Sequence, residues 1–226
     1  MPPWEDLPPT LQTEEVRPYY EALSRRGLQL WLKRLLDVVG ATVLFVLLGW
    51  LFVILALLIK LDSPGPVFFR QRRVTQFGRE FRIVKFRTMT YRPAALGDQI
   101  TRGDDPRITR VGAVLRRYRL DEISQLIDIL RGTMSFVGTR PEVPDYVRQY
   151  TPQMRATLLL PAGVTSTASI EFKDEAQILA AAPPGQDAYV TQVLPAKMRL
   201  NLRDVRDFSI GRDLRIAFRT ILAVAT

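Results

Sequence analysis

The sequence predicts an α+β fold, mostly helical, with a re-entrant membrane helix, amphipathic interfacial helices and one small β-hairpin. Three observations carry this expectation. Residues 38–59 form an apolar run without a charge, residues 67–73 and 80–86 mix aromatic and basic side chains, and helical spacing resumes after residue 106. A chain of 226 residues has room for one ordinary domain and a membrane segment. The expected division is a lead-in over 1–37, the membrane helix over 38–59 and a cytoplasmic-face domain over 60–226.

Residues 1–37 read as a polar, amphipathic helical lead-in. The start, Met-Pro-Pro-Trp-Glu-Asp, is acidic and unlike a secretory signal. The apolar run would be about 33 Å long as a helix, enough to cross a hydrocarbon core of about 30 Å. Its flanks are basic on both sides: Arg25, Arg26, Lys33 and Arg34 before it, Lys60, Arg70, Arg72 and Arg73 after it. A simple span concentrates Lys and Arg on the cytoplasmic side alone. Two positive flanks instead favour a helix that enters and leaves through one leaflet, with both flanks on anionic headgroups. The break this needs is placed at Gly49-Trp50, because glycine weakens a helix and permits a kink. A bitopic span is the alternative, and a buried core helix is disfavoured by the length of the run.

Ser63-Pro-Gly-Pro66 is a helix stop. The strands over 67–73 and 80–86 join through Gly78 as a hairpin, and residues 91–106 read as a loop. Val111, Val114, Leu115 and Tyr118 then make one apolar stripe, and Leu120, Ile123, Leu126, Ile127 and Leu130 a second. Helices of this kind, basic on the other face, suit a membrane interface. Gly132 ends the second helix and Gly138-Thr-Arg-Pro141 makes a turn. The segment from Asp213 to Leu222 is a further basic amphipathic helix.

Composition narrows the chemistry. Without cysteine or histidine, thiol catalysis, Ser-His triads and thiolate or imidazole metal sites are excluded. Asp, Glu, Lys, Tyr and Ser/Thr remain, and an oxygen-ligated Mg²⁺ is the natural cofactor. A net charge of +9 and a pI near 10.2 favour anionic partners. Arg116, Arg117 and Arg119 directly precede the adjacent acids Asp121 and Glu122. Neighbouring carboxylates raise each other's pKa, whereas a metal or arginines keep both ionised. An ionised aspartate can attack phosphorus covalently, and the glutamate beside it could hold Mg²⁺. Alone, an Asp-Glu pair at a helix start is more often a cap than a catalyst.

A wider string of motifs changes that balance. Lys33-Arg-Leu-Leu-Asp37, the apolar run, Leu61-Asp-Ser-Pro-Gly-Pro-Val-Phe-Phe-Arg-Gln71, Lys85-Phe-Arg-Thr-Met89 and Asp105-Pro-Arg-Ile-Thr-Arg-Val-Gly112 follow in order. Then come Leu115-Arg116, Leu120-Asp-Glu122, Gln125-Leu126, Met134-Ser-Phe-Val-Gly138 and Arg140-Pro-Glu142. Together they resemble the bacterial sugar transferases, the monotopic phosphoglycosyl transferases. The resemblance implies a catalytic domain over 60–226 at the cytoplasmic face of the bacterial inner membrane. It would move a sugar 1-phosphate from a UDP-sugar to polyprenyl (undecaprenyl) phosphate and release UMP, with Mg²⁺, as the first membrane step of surface glycan assembly. By the same resemblance Asp121 is the nucleophile and Glu122 its metal-associated partner. Lys85, Arg116 and Arg140 face phosphate, with Arg87 and Glu142 as further members.

The chain departs from the family pattern at four places. Gly49-Trp50 replaces a Ser-Pro helix break. Ser124 stands where a proline follows Asp-Glu-Leu, with Asp128 for an asparagine in the next turn. Thr139 replaces the second residue of Gly-Pro-Arg-Pro, and Pro161-Ala-Gly-Val-Thr-Ser166 lengthens a Pro-Gly-Ile-Thr-Gly motif. The rival from another class is a membrane-anchored basic protein that holds anionic lipid or nucleic acid without catalysis. Such a binder gains nothing from two acids inside its basic patch, and no aromatic-rich nucleic-acid motif occurs. The partners expected are therefore the UDP-sugar, polyprenyl phosphate and membrane lipid. Homodimerisation is left open.

Overall fold

A computed structural model describes residues 1–91, 105–173, 175 and 188–225; most of the expected 91–106 loop lies outside the described residues. The architecture is mostly helical α+β, as the sequence predicts. Two short 3-10 turns, Trp4–Asp6 and Pro9–Leu11, lead to helix α1 (Arg17–Ser24) and then to the long helix α2 (Gly27–Asp62). Leu7, Leu11, Val16 and Leu23 are all buried, packed with Leu159, Val205 and Phe208 in one core cluster. The lead-in is thus part of the domain body. Its irregularly spaced apolar residues do not read as a core face in sequence.

Helix α2 is 36 residues long and extends well beyond the apolar run at its N-terminal side. It is the one helix among the described residues long and apolar enough to cross a membrane. It runs unbroken through Gly49-Trp50, contrary to the break expected there. A lone glycine costs a helix only about 1 kcal/mol, and no proline removes a backbone donor at this point. Trp31, Leu35, Val39, Val46, Trp50, Val53 and Leu57 recur at helical spacing along an exposed face.

Both ends of α2 rest on the same body. Near the start, Arg34 Nη1 donates to Ile129 O at 2.6 Å, Asp37 accepts from the Phe136 N–H at 3.0 Å, and Lys33 Nζ donates to Val137 O at 2.7 Å and to Asp213 at 2.6 Å. Near the end, Leu55 and Ile59 pack with Phe86 and Leu115, and the Asp62 carboxylate accepts from the Val111 N–H at 3.0 Å. Residues 42–47 between these contacts are all exposed.

Ser63 caps α2 in extended conformation, and the Ser63-Pro-Gly-Pro66 turn ends the helix as expected. Strands β1 (Phe68–Val74) and β2 (Glu80–Phe86) pair antiparallel, from Phe68 opposite Phe86 to Val74 opposite Glu80. Their connection uses left-handed backbone at Phe77 and Gly78. Helix α3 (Arg110–Arg117) starts at Thr109, whose hydroxyl accepts from the Gly112 N–H. Its expected apolar stripe is split: Leu115 is buried, while Val114 and Tyr118 face outward.

A 3-10 segment, Leu120–Gln125, then feeds α4 (Leu126–Arg131), which Gly132 terminates at φ 80°. Strand β3 (Met134–Val137) pairs parallel with β4 (Ala162–Thr165), a small second sheet that the sequence did not announce. Between them lie α5 (Pro144–Val147) and a 3-10 stretch, Gln153–Leu159. Helix α6 (Thr167–Glu171), a π-turn at Tyr189–Val193 continuing into α7 (Leu194–Arg206), and α8 (Ile210–Ala225) complete the described chain. On α8, Leu214, Phe218, Ile221 and Leu222 are exposed along one side.

Candidate active site

Three elements bring one acid and two cations together. Lys85 comes from the end of β2, Glu122 from the 3-10 segment before α4, and Arg140 from the turn after β3. Lys85 Nζ donates to Glu122 Oε1 at 2.8 Å; Arg140 donates from Nη2 to the same oxygen and from Nη1 to Oε2 at 3.3 Å. A two-pronged guanidinium and an ammonium on one carboxylate are strong, charge-assisted contacts. Burial alone would push the Glu122 carboxyl up. The charges of Arg140 and Lys85 reverse this and hold it well below the usual glutamate range. Burial lowers the Lys85 ammonium, opposed by Glu122, while Glu122 raises the Arg140 guanidinium.

Asp121 is the opposite case. Burial and the neighbouring Glu122 charge push its carboxyl above the ordinary aspartate range, and Lys85 and Arg116 only partly offset them. The two carboxyls therefore separate, whereas the sequence suggested that both stay readily ionised. Lys85 and Arg140 spend their hydrogen bonds on Glu122. The guanidinium of Arg116, half-buried near the end of α3, makes no hydrogen bond or ion pair among the described residues and acts on Asp121 through space. Between them Arg119 adopts left-handed backbone (φ 54°), a conformation rare outside glycine, and turns the chain from α3 into the Asp121-Glu122 segment. Four expected residues, Asp121, Glu122, Lys85 and Arg140, thus form one cluster, with Arg116 at its side.

Two expected members stand apart. Arg87 is buried on the far side of β2, where its guanidinium donates to Ile59 O at 3.2 Å, to Ser63 O at 2.6 Å and to Pro64 O. It thus joins the last turn of α2, at Ile59, to the Ser63-Pro64 turn that follows the helix. Gly65, at φ 124°, leaves the space this requires, since a Cβ there would strike Arg87 Nη1. Glu142 is buried behind the cluster. It accepts from the Tyr189 hydroxyl and lies 3.9 Å from Arg73 Nη1 and 3.8 Å from Lys197 Nζ. Arg73 also donates to Pro141 O at 3.0 Å, which braces the turn carrying Arg140. Tyr189, Lys197 and Arg73 were missed in the sequence because no motif links them; they meet only through the fold.

The sequence model of the bacterial sugar transferases matches residues 28–226, nearly the whole chain and every residue of this cluster. The chain belongs to the bacterial sugar transferase family. It is 36% identical over 225 residues to a UDP-glucose:undecaprenyl-phosphate glucose-1-phosphate transferase of Caulobacter vibrioides, covering 98% of this chain and 79% of that protein. It is 34% identical over 199 residues to the UDP-N-acetylgalactosamine-undecaprenyl-phosphate N-acetylgalactosaminephosphotransferase of Aeromonas hydrophila, covering 87% of this chain but only 44% of that protein. To the exopolysaccharide production protein ExoY of Rhizobium meliloti it is 33% identical over 207 residues, 85% of this chain and 84% of that protein.

The donor set tests the expected Mg²⁺ at Asp121 and Glu122. Among the described residues no three acids gather as a metal cage. Glu122 already carries two cations, so what remains is the Asp121 carboxylate and the outer lone pairs of Glu122. That set fits Mg²⁺ held by one or two carboxylates, with water and substrate phosphate completing its shell.

Proposed function

We propose that this protein transfers a sugar 1-phosphate from a UDP-sugar to polyprenyl phosphate and releases UMP, through a phosphosugar carried on Asp121. Family membership and the relatives' named activities support the reaction class. The observation that carries the role of Asp121 is the asymmetry of the acid pair. Glu122 is neutralised by Lys85 and Arg140, and the adjacent Asp121 carries no hydrogen bond from either.

In the first half reaction a carboxylate oxygen of Asp121 attacks the phosphorus that bears the sugar. An O–P bond to Asp121 forms, the bond from that phosphorus to the oxygen of UMP breaks, and UMP departs with the electron pair. In the second, a phosphate oxygen of the polyprenyl phosphate attacks the same phosphorus and frees the Asp121 carboxylate. Arg116 would hold the phosphate through its guanidinium, which has no partner among the described residues, while Lys85 and Arg140 keep the field positive where charge builds on the phosphoryl oxygens. Bound Mg²⁺, held by Asp121 and Glu122, would supply further charge neutralisation on the diphosphate. Arg87 holds nearby backbone carbonyls, and Glu142 gathers the side chains of Tyr189, Lys197 and Arg73.

Membrane lipid is the proposed second surface. A body that contacts both ends of α2 cannot sit on opposite sides of a bilayer, which supports insertion of α2 from one face without crossing; the family resemblance makes that face the cytoplasmic one. The exposed stripes of α2 and α8 would take up lipid together. Surface glycan initiation at the inner membrane follows from a polyprenyl acceptor. UMP release from a panel of UDP-sugars, with Mg²⁺ and undecaprenyl phosphate, tests the reaction. Release with at least one donor, lost in Asp121→Asn, is the expected outcome; silence of folded protein across the panel would favour passive anion binding.

A further inference from the structure

Among the described residues strand β2 pairs with β1 on one edge only, so the buried backbone groups of its other edge need partners from outside the sheet. At Val84, the residue before Lys85 and itself 1% exposed, both groups do so. The Val84 N–H donates to Asp128 Oδ2 at 2.8 Å, and the Ser124 hydroxyl donates to Val84 O at 3.0 Å. Ser124 Oγ also lies 3.2 Å from the carbonyl of Asp121. Both side chains are buried, Ser124 at 0% and Asp128 at 1%, so water does not substitute for either bond.

We propose that Ser124 and Asp128 are positioning residues: a two-point clamp on Val84 that sets Lys85 against Glu122 and ties β2 to the turn presenting Asp121. The geometry makes the linkage direct. One hydroxyl bridges the backbone of the nucleophile and the strand that carries the lysine. One carboxylate at the start of α4 fixes the N–H of the same strand residue. With both in place, β2 can neither slide along nor lift away from the 3-10 segment without breaking a buried hydrogen bond. Loss of either leaves a buried backbone group unpaired. A proline at position 124 has no group to donate to Val84, so this half of the clamp depends on the serine.

The proposal rests on the transferase reading above and is tested with full-length, detergent-solubilised protein and a UDP-sugar that the wild type uses. Ser124→Ala and Asp128→Ala are each expected to lower kcat per folded molecule about tenfold or more, with KM for the donor within about threefold, as for a small displacement of a reacting group. Asp128→Asn, whose amide oxygen can still accept from Val84, is expected to keep kcat within about threefold of wild type. If Ser124→Ala and Asp128→Ala lower only the melting temperature and leave kcat unchanged, the clamp is packing alone and the proposal falls. An Asp128→Asn protein as impaired as Asp128→Ala would also overturn it. A wild type that turns over no donor would instead remove the transferase reading, and the positioning role with it.

Discussion

Glu122 and Glu142 meet similar surroundings: one is part-buried and the other buried, and each has cations within 4 Å. Their neighbours differ. Glu122 adjoins a carboxyl that its own cations leave unbonded, Asp121, and a half-buried arginine, Arg116, without an ion pair among the described residues. Glu142 is closed in by Tyr189, Lys197 and Arg73, and Lys197 is itself held by Glu175 at 2.9 Å. A charge cluster in which each acid faces a cation and each cation an acid is a fastening. A cluster that leaves one carboxyl and one cation without such contacts among the described residues has capacity for a substrate. Charge density alone would not have told the two apart.

The comparison breaks most sharply at Asp121. Asp121→Asn is expected to abolish turnover by more than about a thousandfold, the scale of losing a nucleophile, while membrane association persists. A UMP-release assay on the membrane fraction reads both. Arg140→Ala and Lys85→Met come next, at about a hundredfold in kcat, because each removes a preorganised charge beside the reacting phosphoryl group. Glu142→Gln is expected to act on stability, costing about 1–3 kcal/mol by loosening the Tyr189, Lys197 and Arg73 contacts, with kcat per folded molecule little changed. Thermal unfolding against specific activity separates the two glutamates. If Glu142→Gln instead loses activity at an unchanged melting temperature, the line drawn between them is wrong.

The pH dependence sharpens the same contrast. In the proposed mechanism only ionised Asp121 attacks, and burial together with the Glu122 charge raises its carboxyl. Activity of the first half reaction should therefore decline on the acid side at a pH above the ordinary aspartate value of about 3.9. Arg116 favours the charged form, so Arg116→Ala should move that limb to still higher pH. An acid limb that stays put in Arg116→Ala would separate Arg116 from Asp121.

The smallest effect concerns α2. The chain has no cysteine, so single cysteines can be placed at exposed Ser24 and Arg70 on either side of the helix. An impermeant thiol reagent should reach both from the cytoplasmic face and neither from outside. Labelling of one from each side would restore a spanning helix.

Much of this was legible in the residues themselves. The hairpin, the stop at Ser63-Pro-Gly-Pro66 and the cap at Gly132 follow from local chemistry, and Lys85, Glu122 and Arg140 lie in motifs that converge as the resemblance implies. Arg87 misled because it shares a motif with Lys85. It lies just past the end of β2, where the alternation of faces no longer governs its direction, and the carbonyls of Ile59, Ser63 and Pro64 claim it. The parallel pair β3 and β4 is four residues per strand, too short to declare a period. The cluster around Glu142 joins residues far apart in sequence, and nothing local signals it. Ser124 and Asp128 were visible only as departures from a pattern, and their common target, Val84, appears in the fold alone.

The most direct measurement is to trap the intermediate. Protein is mixed with a UDP-sugar labelled in the sugar-bearing phosphate, without polyprenyl acceptor, and the label remaining on the chain is compared with the UMP released. The account predicts label on the peptide containing Asp121 in step with UMP, absent from Asp121→Asn and discharged when acceptor is added. Full turnover in the presence of acceptor, with no label retained in its absence, would contradict covalent transfer through Asp121.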